Sequence, residues 1–167
     1  MDFIIRTHRP GDMGMVIHRH GVLYAEEYGF NDQFDVYVAK AMAEFVENRN
    51  PDRERLWMAE SGKTHLGSIA IVDAGDGMAQ LRWLIVEPRA RGMGVGKKLV
   101  AQAVEFAWQA DYRGIYLWTI DFLASARHLY DKAGFHLTET KESRVWGKIL
   151  KEEKWELFPE TRSNGRG

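Results

Sequence analysis

Past the middle of the chain, Arg91, Gly92, Met93, Gly94, Val95, Gly96 and Lys97 have the types and spacing to hold an anion. Three alternating glycines let backbone N–H groups come close to a ligand where a β-carbon would stand in the way. An apolar, strand-like run ends at Pro88 just before them, and a helical pattern opens just after. At the first turn of a helix the N–H groups have no partner of their own, and the helix dipole adds positive potential. Strand, glycine turn and helix start together make an anion cradle. Arg89, Arg91, Lys97 and Lys98 place cations around it, which suits a ligand with several phosphate charges. It is not a P-loop, because Lys98 follows Gly96-Lys97 where serine or threonine is needed and Arg91 replaces the first glycine. Nor is it a dinucleotide fingerprint, whose glycine spacing differs and whose place is near the first strand.

A second set of chemistry-bearing side chains lies on one helical stripe near the N-terminus: Val16, His20, Leu23 with Tyr24, and Glu27. Such a stripe is less oily than a packing face, so it reads either as satisfied core residues or as a helix lining a polar pocket. Glu27, then Glu26, are the carboxylates placed to accept a proton there. His20 is a base, a substrate hydrogen-bonder or a structural histidine. His18 and His20 face apart on a helix, which argues against a metal site. Trp83 and Trp118 wall an acceptor pocket or belong to the core; Trp118 is assigned to the core.

The elements that must position these groups follow from periodicity and punctuation. Residues 3–6 form a short strand, and Asp12 is placed to cap a helix over residues 13–28. Gly29 ends it, and Asp32 stands before a second helix with the apolar stripe Phe34, Val38, Ala41 with Met42, and Phe45. Residues 55–60 and 65–73 read as a hairpin, and residues 79–86 as the central strand. Val95, Leu99, Ala103 and Phe106 give the following helix one face for a sheet. Residues 115–120 are an unbroken apolar run of the kind a buried parallel strand shows. A helix over residues 123–133 stops at Gly134, and residues 135–141 and 154–158 supply the last strands. Residues 161–167 are polar, with nothing to bury, and read as a frayed tail, leaving one domain over residues 1–160.

With 167 residues and 45% apolar content, the chain is long enough for one good core. A net charge of −1 gives no global field toward nucleic acid or a membrane. Without cysteine there is no disulfide, thiolate metal site or cysteine nucleophile, which fits a reducing, cytoplasmic setting. The N-terminus lacks the form of a signal peptide.

Two motifs carry a resemblance to a known family. Arg91-x-x-Gly94-x-Gly96 resembles the acyl-CoA pyrophosphate loop of the GNAT N-acetyltransferases. Ala126, Leu129, Tyr130, Lys132, Gly134 and Phe135 are similar to that family's Ala-x-x-Leu-Tyr-x-Lys-x-Gly-Phe signature. The order β-α-α-β-β-β-α-β-α-β-β is the family's too, so the resemblance spans nearly the whole chain and implies a single-domain α/β fold with a mixed central sheet. Arg19-His20-Gly21 through Tyr24, with Glu27-Tyr28-Gly29, further resembles the acetyltransferase half of MarR-type regulator–acetyltransferase fusions. No DNA-binding half accompanies it in these residues. One departure is Leu123, where many members carry asparagine.

The resemblance implies acetyl-CoA as co-substrate, no metal, and transfer to the primary amine of a small molecule by direct attack. It points Tyr130 at the sulfur as general acid. A hydroxyl of pKa about 10 is protonated near neutrality, and a departing thiolate of pKa about 8.5 can accept its proton. It also implies a backbone N–H of Ile85 or Val86 as donor to the thioester oxygen. An acceptor amine of pKa about 10.4 is neutral in fewer than about one molecule in 10³ at pH 7, which is why Glu27 is sought as a base. His20, Tyr24 and Trp83 are then the acceptor-binding candidates. The rival expectations are a protein-lysine or N-terminal acetyltransferase and a non-catalytic acyl-CoA-binding regulatory module. A homodimer is left open.

Overall fold

The computed structural model describes residues 2–160, so the expected frayed tail at 161–167 lies outside the described residues. In chain order the elements are β1 (Ile4–Thr7), α1 (Asp12–Tyr28), α2 (Gln33–Asn48), β2 (Arg55–Ser61), β3 (Thr64–Asp73), β4 (Met78–Val86), α3 (Val95–Gln109), β5 (Gly114–Ile120), α4 (Ala124–Lys132), β6 (His136–Val145) and β7 (Lys148–Leu157). The sheet order is β1-β2-β3-β4-β5-β7-β6. Its neighbours are antiparallel except β4 and β5, so the sheet is mixed as expected.

Both faces of the sheet are covered, as the alternation along β2 requires. Trp57 and Ala59 enter the core under α3 and α4, while Leu56 and Met58 enter the core under α1 and α2. The expected stripes are the buried ones: Val16, His20 and Leu23 on α1, Phe34, Val38, Met42 and Phe45 on α2, and Val95, Leu99, Ala103 and Phe106 on α3. Among the described residues no helix is long and apolar enough to cross a membrane.

Several local expectations are corrected. Asp12 does not cap α1. Gly11 holds the N-cap position with φ +98°, and the Asp12 carboxylate instead accepts from the Arg9 N–H at 2.8 Å and from Arg6 at 2.6 Å. Asp32 sits at the N-cap of α2, but its backbone is already helical (φ −70°, ψ −9°), and it makes no side-chain cap bond. Asn31 supplies that oxygen, accepting from the Gln33 N–H at 3.0 Å. The last two strands are longer than read, because β6 is exposed along most of its length and shows no apolar alternation. They are joined by Trp146 and Gly147, both with positive φ (54° and 80°), the two-residue turn that matches strand twist. Trp146 is held there by its ring, which packs 4.9 Å from Phe34 and 5.1 Å from Tyr37.

Two departures in the centre of the sheet shape the site. β5 is parallel to β4 only where Met78, Ala79 and Gln80 face Gly114, Ile115 and Tyr116; the rest of β5 pairs with β7. Beyond Gln80 the two central strands therefore part and leave a cleft. Between Ser68 and Ala70, β4 carries one extra residue, so Trp83 and Leu84 together oppose Ile69. Trp83 takes φ +53° at this bulge, and its C=O accepts from the Ser68 hydroxyl at 2.8 Å. Strand alternation would put Trp83 with Ala79 and Leu81 under α3; the bulge turns it into the opposite core, edge-on to Phe45.

Candidate active site

The cleft between β4 and β5 holds two cavities. The larger, about 740 Å³, is lined by Ile85 and Val86, by the glycine loop and α3 start, by Tyr24 and Glu27 of α1, and by the N-terminus of α4. The smaller, about 150 Å³, takes its walls from α2, β4, β5 and the β6–β7 turn. Tyr24, Leu84, Leu123 and Ala126 line both, so the two meet there.

The cradle is built as its composition dictates. Gly94 is the N-cap of α3 with φ +82°, a conformation that strains any residue with a β-carbon. The N–H groups of Val95, Gly96 and Lys97 precede the first helical bond of α3, Lys98 N–H to Gly94 C=O (3.1 Å), and so remain for an anion. Gly96 is small for a different reason than ligand approach: a β-carbon there would lie 2.7 Å from Leu129 Cδ1 of α4. Arg91, Gly92, Gly94, Val95, Gly96 and Lys97 line the larger cavity. The Met93 side chain packs against the α3-side core instead. Of the four expected cations only Arg91 and Lys97 line the cavity; the Lys98 ammonium lies 4.9 Å from the Phe3 ring centroid, one helix step round toward β1. An unpaired helix start, a glycine loop and two cations fit the polyphosphate part of acetyl-CoA, and the β4 edge facing the cleft fits an amide-bearing arm.

Glu27 lies on the larger cavity, where its carboxylate is 2.6 Å from the Arg91 guanidinium. It does not line the smaller cavity. Glu26, the second choice, is exposed. Tyr130, Tyr24, His20 and Trp83 do come together around the smaller cavity. Burial pushes the Tyr130 hydroxyl well above its usual pKa, with the nearby Tyr24 adding to the shift, so it is protonated at any physiological pH. Burial likewise raises Tyr24. His20 is buried, its Nδ1–H donates to the Val16 C=O at 2.8 Å, and burial lowers it to about 4. It is a neutral, locked imidazole stacked on Tyr24, which is a poor proton acceptor near neutrality. Trp118, assigned to the core, is instead half-buried in the smaller cavity's wall with Lys141 Nζ 4.2 Å over its ring. It stands on β5 beyond the point where β4 departs.

Glu87, Arg82 and Glu152 contribute without having been read from the sequence, and Leu123 takes the wall position its departure left open. Glu87, whose side chain is 3% exposed, is gripped by Arg19 through Nε at 2.6 Å and Nη2 at 2.8 Å, pinning α1 to the strand end that feeds the glycine loop. An acid ending an apolar run before proline was the available signal. Arg82 and Glu152 both line the smaller cavity. Glu152 stands in the charged run Lys151–Lys154, which reads as a solvated face, so nothing local marked it. Leu123, in the place of the usual asparagine, gives both cavities an apolar wall.

Comparison with known proteins agrees with this geometry. Residues 22–135, more than half of the chain, match the acetyltransferase (GNAT) family. An uncharacterized N-acetyltransferase of Schizosaccharomyces pombe is 29% identical over 118 residues, covering 70% of this chain and 72% of that one. The matched stretch spans about half the length of the mammalian N-acetyltransferase 8 relatives. Among solved structures, a ribosomal-protein-alanine N-acetyltransferase from Brucella melitensis superposes with a TM-score of 0.77 at 18% identity, covering 93% of this chain and 99% of that one. An acetyltransferase from Salmonella typhimurium, solved with its cofactor acetyl-CoA, gives 0.75 at 19% identity and 96% of both chains. Loop, splayed strands and family match together identify this chain as an acyltransferase, a member of the acetyltransferase (GNAT) family.

Proposed function

We propose that the chain moves the acetyl group of acetyl-CoA to the primary amine of a small molecule by direct attack. The observation that carries this reading is the junction of the two cavities at Tyr24, Leu84, Leu123 and Ala126. A thioester whose phosphates rest on the α3 start reaches that junction from one side, and an amine in the smaller cavity reaches it from the other. The amine nitrogen bonds to the acyl carbon, the C–S bond breaks, and the thiolate takes a proton from the Tyr130 hydroxyl. Burial makes that hydroxyl a weaker acid, and the same desolvation makes a thiolate released beside it a stronger base. Of the two backbone N–H groups expected to serve the thioester oxygen, Ile85 and Val86, we assign Val86: Glu87 N–H bonds Leu66 C=O of β3, so by strand alternation Ile85 N–H faces β3 too and Val86 N–H faces the cleft.

For the amine's proton the sequence pointed to Glu27. Its pairing with Arg91 favours a role in holding the cradle, and Glu152 is the carboxylate we assign to receive that proton, directly or through water. His20, Tyr24 and Trp83 shape the acceptor cavity. The α1 text keeps its likeness to regulator-fused acetyltransferases, and we read the protein as cytoplasmic, either monomeric or homodimeric, with no nucleic-acid or membrane partner.

A second reading, acetylation of a protein or peptide N-terminus, is motivated by the Brucella neighbour's name. The small volume of the smaller cavity, about 150 Å³ with α2 and Trp146 in its walls, favours a small acceptor. A thiol-release assay with acetyl-CoA over amino acids, polyamines and peptides tests the choice. Turnover of small amines supports the proposal, turnover of peptides alone supports the second reading, and binding of acetyl-CoA with no acceptor turned over supports a regulatory module.

A further inference from the structure

The smaller cavity carries opposed charges. Among the described residues its lining holds one guanidinium, Arg82 from β4, and one carboxylate, Glu152 from β7. In the sheet order these strands flank β5 on its two sides, so the two charges enter the lining of one cavity from either side of β5. Glu152 accepts from the Ser143 hydroxyl and has the Lys141 ammonium 3.9 Å away.

Arg82 differs from the guanidiniums that build the fold. Arg6, Arg19, Arg53, Arg91 and Arg127 each have a carboxylate within 3.4 Å. The side-chain bond Arg82 makes among the described residues is to a neutral group, Nη2 donating to the Tyr37 hydroxyl at 3.1 Å. Its guanidinium carbon lies 4.9 Å from the Trp83 ring centroid and 5.8 Å from that of Tyr37. Aromatic faces hold a cation in place without cancelling its charge. The bulge that turns Trp83 onto this side of the sheet is what brings its ring beside Arg82. The guanidinium has five donors in a planar fork that matches a carboxylate, and this one uses a single donor among the described residues.

We infer that Arg82 is a specificity residue that binds a carboxylate on the acceptor, so that the preferred substrate class is an amino-acid-type amine rather than a simple amine or polyamine. The inference rests on the proposed function for the reaction and adds which amines it takes. The carboxylate docks on Arg82, and the ammonium is drawn toward the Glu152 side, where it loses its proton. A polyamine, by contrast, would set a second ammonium against Arg82.

The test compares matched pairs that differ by one carboxylate: phenylalanine with phenethylamine, and ornithine with putrescine. The wild-type protein is expected to favour the amino acid of each pair by roughly 10- to 100-fold in kcat/KM, the worth of a charge-assisted pair. Arg82→Met collapses that ratio toward one, mainly through KM, and Arg82→Lys restores part of it. Tyr37→Phe, which removes the hydroxyl that Arg82 donates to, lowers the ratio by less. A binding readout separates this inference from the reaction itself: N-acetylphenylalanine and N-acetylphenethylamine are titrated by calorimetry into the CoA-saturated protein. Tighter binding of the carboxylate ligand, lost in Arg82→Met, sustains the inference even if no amine is turned over. Turnover of phenethylamine and putrescine at least as good as their amino acids overturns it while leaving the proposed reaction standing. So does a pair ratio unchanged in Arg82→Met, or equal binding of the two N-acetyl ligands.

Discussion

Arg91 of the glycine loop reaches back across the larger cavity to Glu27 of α1, with 2.6 Å between Nη2 and Oε1. The pair joins residues 64 positions apart and fixes the loop against the first helix. Replacing Glu27 with Gln should therefore raise KM for acetyl-CoA several-fold while the shape of the rate–pH profile is kept. A profile that loses its acid limb, with turnover recovering at high pH, would restore Glu27 as the base.

Gly94 and Gly62 share positive φ (82° and 59°) and open space where a β-carbon would go, but only Gly94 lines the cleft. Gly94→Ala and Gly62→Ala should each cost about 1–2 kcal/mol of stability from backbone strain. CoA affinity should fall at least about tenfold in Gly94→Ala alone, since the α3 start must meet the phosphates closely. Calorimetry showing equal CoA affinity in both variants would remove the cradle from the binding site.

Tyr130→Phe removes one hydroxyl and almost no volume from a buried site, so CoA affinity and folding should change little. The acyl-transfer rate should fall by roughly 10²- to 10⁴-fold, the usual worth of a positioned acid. The loss belongs in kcat more than in KM, because the bond strengthens only as charge builds on sulfur. An undiminished kcat with chemistry rate-limiting would leave proton delivery to water.

Acid stability should be set in part by His20. Its folded pKa, about 4, lies below the ordinary value of 6.5 because burial disfavours the charged ring. Between those values the unfolded chain binds the extra proton, so stability is whole above about pH 6.5 and is lost as pH falls toward 4. The full loss is on the order of 3 kcal/mol. Burial lowers His65 and His8 as well, with the same sign. His20→Asn keeps a donor for the Val16 C=O and does not titrate, so its melting temperature should fall less steeply over this range. An unchanged slope would mean that other groups carry the acid transition.

Arg19 holds the Glu87 carboxylate, whose side chain is 3% exposed, at the end of β4. Arg19→Met leaves that charge buried and unpaired and should cost about 3–5 kcal/mol in denaturant unfolding. Adding Glu87→Gln should recover much of the loss, because the uncompensated charge is then gone. No recovery would locate the cost in lost packing of the arginine stem.

What the sequence determined by itself is what neighbouring residues decide among themselves. Helix stripes, the glycine turn at Gly92 and Gly94 and the stop at Gly134 depend on periodicity and on glycine's tolerance of positive φ, which are local properties. The Ala126–Phe135 signature is equally local, so element order and the glycine-loop side of the cleft were legible in the order of the residues alone. Tertiary structure decided which charges meet. Arg19 finds Glu87 and Arg91 finds Glu27, which brings helix α1 against the end of β4 and the glycine loop. It also decided the smaller cavity. One extra residue in β4 reverses the face of Trp83, and the early parting of β4 from β5 leaves Trp118 in the wall of a space that Arg82 and Glu152 share. Strand register and splay arise from pairing between distant segments, and a side-chain period of two makes every facing depend on them.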